Sequence, residues 1–190
     1  MGAGIVVDPA EASRLSQAAV AGVEEYQSRN PLRPGMPTAS LASRLGIGRE
    51  LLAVLIAHTD GLAESGATVA TTGFAVRLDP HQEQAWEAAR ARLAAGWAVP
   101  ALRELGLSTE LIHALVRANS LVRISPDLVY LPDQVERMVA ELGALPVGFT
   151  VAQFRDYFGL TRKYAVPLLE WLDAEGHTVR SGDGRTATGT

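Results

Sequence analysis

FTVAQFRDYFGLTRKYAVPLLEWLDAEGHTVRSGDG, residues 149–184, holds in order a short amphipathic run, a glycine, a second amphipathic run with a basic start, and a glycine-rich turn. Thr150 is a good helix N-cap, and Val151, Phe154, Tyr157 and Phe158 after it fall at helical spacing. Gly159 suits the left-handed residue that ends a helix. Thr161 then opens a second helix, whose apolar face is Tyr164, Ala165, Leu168, Leu169 and Leu172. Two helices joined at a tight glycine corner form a helix-turn-helix. Beyond Gly176, His177-Thr178-Val179-Arg180 and Arg185-Thr186-Ala187-Thr188 flank Ser181-Gly182-Asp183-Gly184, which predicts a hairpin, the wing.

Working outward, the corner recurs. Arg44-Leu45-Gly46-Ile47-Gly48-Arg49-Glu50, Glu104-Leu105-Gly106-Leu107-Ser108-Thr109-Glu110 and Tyr157-Phe158-Gly159-Leu160-Thr161-Arg162-Lys163 align at one glycine and at the apolar residues around it. A second echo places Val6-Val7-Asp8-Pro9, Arg77-Leu78-Asp79-Pro80 and Tyr130-Leu131-Pro132-Asp133 where a strand-like segment gives way to a long helix with Asp or Pro at its start. The expected fold is mainly α with small β-hairpins, a tandem array of three winged-helix domains at 10–78, 79–131 and 132–190, with 1–9 as a tail or the end of a preceding unit.

In the first unit the pattern predicts a helix over 10–27, a break at the Pro-rich 30–37, a second corner helix over 49–58, and a hairpin within 67–78 turning at Thr71-Thr72-Gly73. The second is expected to hold helices at 82–93, 100–105 and 109–118 and a hairpin over 121–131 turning at Ser125-Pro126-Asp127. The third opens with a helix over 134–142. Units of this size lie near the lower limit for independent folding, so neighbours are expected to pack together.

Composition narrows the function classes. A net charge of −4 over 190 residues excludes a chain that coats nucleic acid nonspecifically and directs attention to local cation clusters. The absence of cysteine removes disulfides, thiolate metal sites and cysteine nucleophiles, and favours a reducing, cytoplasmic setting. No apolar run approaches the roughly 18 residues of a membrane span. His58, His81, His113 and His177 are scattered without ligand spacing, so no metal is expected, and no catalytic or cofactor-binding motif appears. The expectation is a non-enzymatic, monomeric binding chain without cofactor.

The corners differ where it matters. At the start of the second corner helix the three units carry Arg49-Glu50, Thr109-Glu110 and Arg162-Lys163, so the third alone is doubly basic, and Lys163 is the only lysine of the chain. A helix N-terminus attracts phosphate, and Arg180 and Arg185 on either side of the wing turn bring the set to four cations. Tyr164 shares the apolar face with Leu168, and both core packing and stacking on an unpaired base suit it. Asp173 and Glu175 are available to pair with Arg180 or Arg185, which would make the wing cations structural. Trp86, Trp97 and Trp171 sit among apolar neighbours and are expected in cores or joints.

Gly159-Leu160-Thr161-Arg162-Lys163-Tyr164-Ala165-Val166-Pro167-Leu168-Leu169-Glu170-Trp171-Leu172-Asp173, with the arginine-bearing wing behind it, resembles the last winged helix of the bacterial selenocysteine-specific translation elongation factor, the SelB family. Asn30-Pro31-Leu32-Arg33-Pro34-Gly35-Met36-Pro37 is similar to a loop in an earlier winged helix of that factor. The resemblance implies a C-terminal region that binds the selenocysteine insertion hairpin of messenger RNA. It also implies GTPase and selenocysteinyl-tRNA-carrying domains in an N-terminal portion outside this sequence, through which the ribosome is engaged. Such factors usually carry four winged helices, and Gly4 to Pro9 looks like the end of the first. Carried onto this chain, the RNA contacts are Thr161, Arg162, Lys163 and, in the wing, Arg180, Gly182, Gly184 and Arg185, with Tyr164 as a further candidate. The family's wing often has adjacent arginines where this chain has Val179-Arg180.

Physical chemistry favours RNA at this corner. The A-form major groove excludes a helix and leaves loops, bulges and backbone as targets. A DNA-reading helix presents polar side chains to base edges, whereas Val166 and Pro167 follow Lys163 here. A winged-helix DNA-binding regulator and a protein-interaction scaffold are the alternatives from other classes.

Overall fold

Gly46, Gly106 and Gly159, the three aligned glycines, all take left-handed backbone, with φ of 66°, 74° and 61°. Each turns the chain between two segments that a side chain at that position would strain. The computed structural model describes residues 8–188, so the sequence reading of Gly4 to Val7 lies outside the described residues. The chain divides into two units between Leu78 and Asp79.

The first unit runs α1 (Pro9–Arg29), β1 (Met36–Pro37), α2 (Thr38–Leu45), α3 (Arg49–Ala57), β2 (Leu62–Ser65) and β3 (Thr68–Thr71). Asp8 caps α1 by accepting from the Ala10 N–H at 2.7 Å, and Pro9 occupies the first turn, where its missing N–H costs nothing. Leu15, Ala19 and Val23 of α1 bury one stripe against Leu41, Leu52, Leu55, Ile56 and Val69. The hairpin lies earlier than the expected 67–78, because the turn falls between Ser65 and Thr68, and Thr71-Thr72-Gly73 closes the second strand instead of turning it. The reason is a third strand that the Pro-rich segment supplies: Met36 pairs with Val69 and Pro37 with Thr68, making β3 the centre of a β1-β3-β2 sheet.

The second unit runs α4 (Pro80–Leu93), a 3-10 turn (Leu102–Glu104), α5 (Thr109–Arg117), β4 (Val122–Ser125), β5 (Leu128–Tyr130), α6 (Pro132–Glu141) with a short 3-10 extension (Leu142–Ala144), α7 (Val151–Tyr157), α8 (Arg162–Ala174), β6 (Thr178–Ser181) and β7 (Gly184–Ala187). Asp79 and Gln82 form a reciprocal capping box at the start of α4. The helix expected at 100–105 is only the 3-10 turn. Pro100 and Gly106 leave room for a single turn between them, and the Leu102 N–H is drawn to the carbonyl of Asp127 at 3.0 Å, which ties the turn to the β4–β5 hairpin.

Thr150 and Gln153 cap α7 as a second reciprocal box. Phe149, Phe154 and Phe158 form the aromatic centre of the last helix-turn-helix, with centroids 6.2 Å and 4.8 Å apart along the series, while Tyr157 turns outward. Leu168, Leu169 and Leu172 of α8 close it from the other side. Burying each of these side chains contributes about 1.5–3 kcal/mol. Elements α7, α8 and the β6–β7 hairpin make a winged helix.

Gln134 and Trp97 link elements within the second unit. Gln134, 1% exposed, accepts from the Leu131 N–H and donates to the carbonyls of Leu93 and Gly96 at 2.8 Å and 3.1 Å, linking the first turn of α6 to the end of α4. Trp97 meets Phe158 edge to face at 5.3 Å, and the Arg137 guanidinium lies 5.5 Å from its ring centroid.

Candidate RNA-binding face

The start of α8 is built to leave charge uncommitted. Thr161 occupies the N-cap position, yet its hydroxyl makes no capping hydrogen bond, unlike Ser108 at α5 and Thr150 at α7. The N–H groups of Tyr164 and Ala165 reach back to the Thr161 carbonyl at 3.0 Å, so the open amides of the first turn belong to Arg162 and Lys163. Both of these side chains are exposed, and neither has a carboxylate partner among the described residues. Pro167 inside α8 has no N–H to donate to the carbonyl of Lys163.

Tyr164 is half-buried. Its ring carries the Lys163 ammonium at 5.5 Å from the centroid. Its phenol also helps raise the ionisation of Tyr130, whose pKa lies well above the ordinary value mainly because of burial. Tyr130 donates to the Trp97 carbonyl at 2.6 Å. One face of Tyr164 therefore belongs to packing and the other lies beside Lys163.

The wing divides its two arginines. Arg180 is exposed, and its Nε donates to the carbonyl of Gly182 at 3.2 Å, bracing the turn. Arg185 is 6% exposed, with Nε 2.9 Å and 3.2 Å from the two carboxylate oxygens of Asp173, which also accepts from the Thr178 hydroxyl. Asp173 lies eleven residues along α8 from Arg162, roughly 16 Å at the helical rise. The four cations therefore do not converge on one groove, and Arg185 is spent inside the fold because it must neutralise a half-buried carboxylate.

Gly184 is also committed to the fold. A Cβ on it would stand 2.5 Å from the Gly148 carbonyl oxygen, where β7 meets the segment before α7 and the Arg185 N–H bonds the Phe149 carbonyl at 2.8 Å. Gly182, with φ of 59°, sits exposed at the tip of the turn. The set that faces solvent is therefore Thr161, Arg162, Lys163, part of Tyr164, Arg180 and Gly182. Arg103, which the sequence reading did not single out, is exposed on the 3-10 turn and lines a cleft with Lys163 and Tyr164. No sequence signal marks it, since it is brought near α8 only by the tertiary fold.

Residues 144–187 match the family model for the winged helix of elongation factor SelB. The matched residues are those of the last winged helix, from the segment ahead of α7 to the end of β7. A selenocysteine-specific elongation factor of Desulfomicrobium baculatum is 27% identical over 193 residues, covering 90% of this chain and 30% of its own length. The chain thus spans under a third of that SelB relative. Among solved structures, a bacterial selenocysteine-specific elongation factor, EF-Sec, aligns with a TM-score of 0.61 at 22% identity, over 98% of this chain and 31% of the other. The mRNA-binding domain of Escherichia coli SelB, solved with SECIS RNA, aligns with a TM-score of 0.49 at 24% identity, over 59% of this chain and 100% of that one. No described helix is long and apolar enough to cross a membrane.

Proposed function

We propose that this chain is the messenger-RNA-binding region of a selenocysteine-specific translation elongation factor, holding the factor to a hairpin RNA, the selenocysteine insertion element, while the rest of the factor carries selenocysteinyl-tRNA to the ribosome. The observation that carries the reading is the pair Arg162 and Lys163, solvent-facing and without carboxylate partners at the start of α8, inside the segment that matches the SelB winged helix. In this reading the chain is a row of three winged helices at 10–78, 79–131 and 132–190. The first two space and dock the third. The chain itself is monomeric and cytoplasmic and performs no catalysis, GTP hydrolysis belonging to the remainder of the factor.

The contact is with backbone and unpaired loop nucleotides. Arg162 and Lys163, with their own amides and the helix dipole behind them, bind phosphate. Arg180 and Gly182 at the wing tip supply the second point of contact, and Arg185 serves by holding the wing to α8. Replacing Arg162 or Lys163 with Ala is expected to weaken hairpin binding by about 1–3 kcal/mol, whereas Arg49→Ala, at the corresponding corner of the first unit, leaves it unchanged. Filter binding of a stem-loop RNA against a duplex DNA of equal length tests this. Equal affinity for the two nucleic acids, or no loss in the Arg162 variant, would refute it.

A further inference from the structure

Between the 3-10 turn, the β4–β5 hairpin turn and the start of α8 lies a cleft of about 240 Å³. Its apolar lining is Ala101, Leu128, Pro167 and the exposed part of Tyr164, and its cations are Arg103 and Lys163. Arg103 is exposed and has no carboxylate partner among the described residues, although Asp127 and Ser125 line the same cleft. The 3-10 turn is fixed against the hairpin turn by the bond from the Leu102 N–H to the Asp127 carbonyl, so Arg103 is presented from a braced segment. Leu128 and Ala101 are 6% and 7% exposed, so their positions are fixed by the core behind them.

These features describe a receptor for one nucleotide. An apolar lining with a tyrosine ring suits the face of a base, and two cations suit its phosphate. A carboxylate and a hydroxyl in the same lining accept hydrogen bonds from the amino or imino N–H groups of a base. We infer that the cleft between the 3-10 turn, the β4–β5 hairpin turn and the start of α8 takes up a single unpaired nucleotide of the bound RNA, with its phosphate between Arg103 and Lys163 and its base against Tyr164 and Pro167. Asp127 and Ser125 then select bases that donate on their Watson–Crick edge, which disfavours uracil, with one donor, relative to guanine, with two adjacent ones. This rests on the RNA-binding role proposed above and extends it: the segment ahead of α6 becomes part of the RNA surface instead of a spacer alone.

The test uses the full chain and stem-loop RNAs with randomised loop nucleotides, selected on the wild-type protein. Arg103→Ala is expected to lower affinity for the selected hairpins five- to tenfold and to flatten the salt dependence by about 0.7 in log–log slope, the effect of one phosphate on a single strand. Asp127→Asn is expected to leave overall affinity within about threefold but to change which base is preferred at one loop position, because the amide now donates as well as accepts. Both side chains are exposed, and circular dichroism checks that folding is unaltered. If Arg162→Ala weakens binding while Arg103→Ala and Asp127→Asn both behave as wild type, the cleft is not a nucleotide site and the RNA is held at the start of α8 alone. If the wild-type chain enriches no hairpin, the RNA-binding role itself fails and this site falls with it.

Discussion

Asp173→Asn tests whether Arg185 is part of the wing's structure or of its binding surface. The substitution keeps the size of the side chain and removes its charge, leaving the guanidinium without a counter-ion in a position where its side chain is 7% exposed. Breaking one side of a fully buried pair costs about 3–5 kcal/mol. Asp173 is 25% exposed, so water partly compensates, and one amide oxygen still accepts from Arg185 or from Thr178, which brings the expected loss to about 2–3 kcal/mol. In urea unfolding followed by circular dichroism, this appears as a lower midpoint with an unchanged slope. The double variant Asp173→Leu, Arg185→Met removes both charges and should recover most of the loss, giving a coupling energy above about 1 kcal/mol. A stability change under about 0.5 kcal/mol for Asp173→Asn, together with tenfold weaker RNA binding in Arg185→Met, would refute this and show that Arg185 contacts RNA directly.

Three further outcomes follow from the second unit. Gly184→Ala forces a methyl group to 2.5 Å from the Gly148 carbonyl oxygen and is expected to cost about 1–3 kcal/mol and release the β7 contact with Phe149, seen as faster amide exchange at Arg185. Tyr130 keeps its proton in the folded chain above the pH, about 10, at which the unfolded phenol loses it, so stability falls as pH rises past that point; Tyr130→Phe should flatten that alkaline decline in thermal melts while costing about 1 kcal/mol at neutral pH through the lost bond to Trp97. Gln134→Ala leaves two carbonyls and one N–H without their partner and is expected to lower stability by about 3 kcal/mol in denaturant titration.

Local chemistry made the corners legible. A glycine flanked by apolar residues at helical spacing states both a turn and the faces on either side of it, and Gly46, Gly106 and Gly159 carry the expected backbone. Caps such as Thr150 with Gln153 are equally local. The hairpin of the first unit was not legible, because its register depends on Met36 and Pro37 pairing with β3 from about thirty residues away. Nor was the helix expected at 100–105, whose backbone is claimed by the Asp127 carbonyl. At the candidate site, Arg162 and Lys163 stand out in the sequence as a doubly basic helix start, and among the described residues both are exposed without a carboxylate ion-pair partner. For Arg185 the sequence offered both a phosphate contact and a structural pairing with Asp173 or Glu175, and the fold sets it against Asp173. Arg103 was hidden, since its neighbours in the cleft come from β4–β5 and α8.

The three hydrogen bonds of Gln134 bear on how the second unit comes apart. They fasten the backbone at the end of α4 to the backbone at the start of α6, with little room for slack in a buried amide. Separating α6 from α4 then requires these buried bonds to break together, so the two helices should come apart in one step. Single-molecule stretching of the chain from its two ends would record one rip for this unit rather than two, and Gln134→Ala would split it.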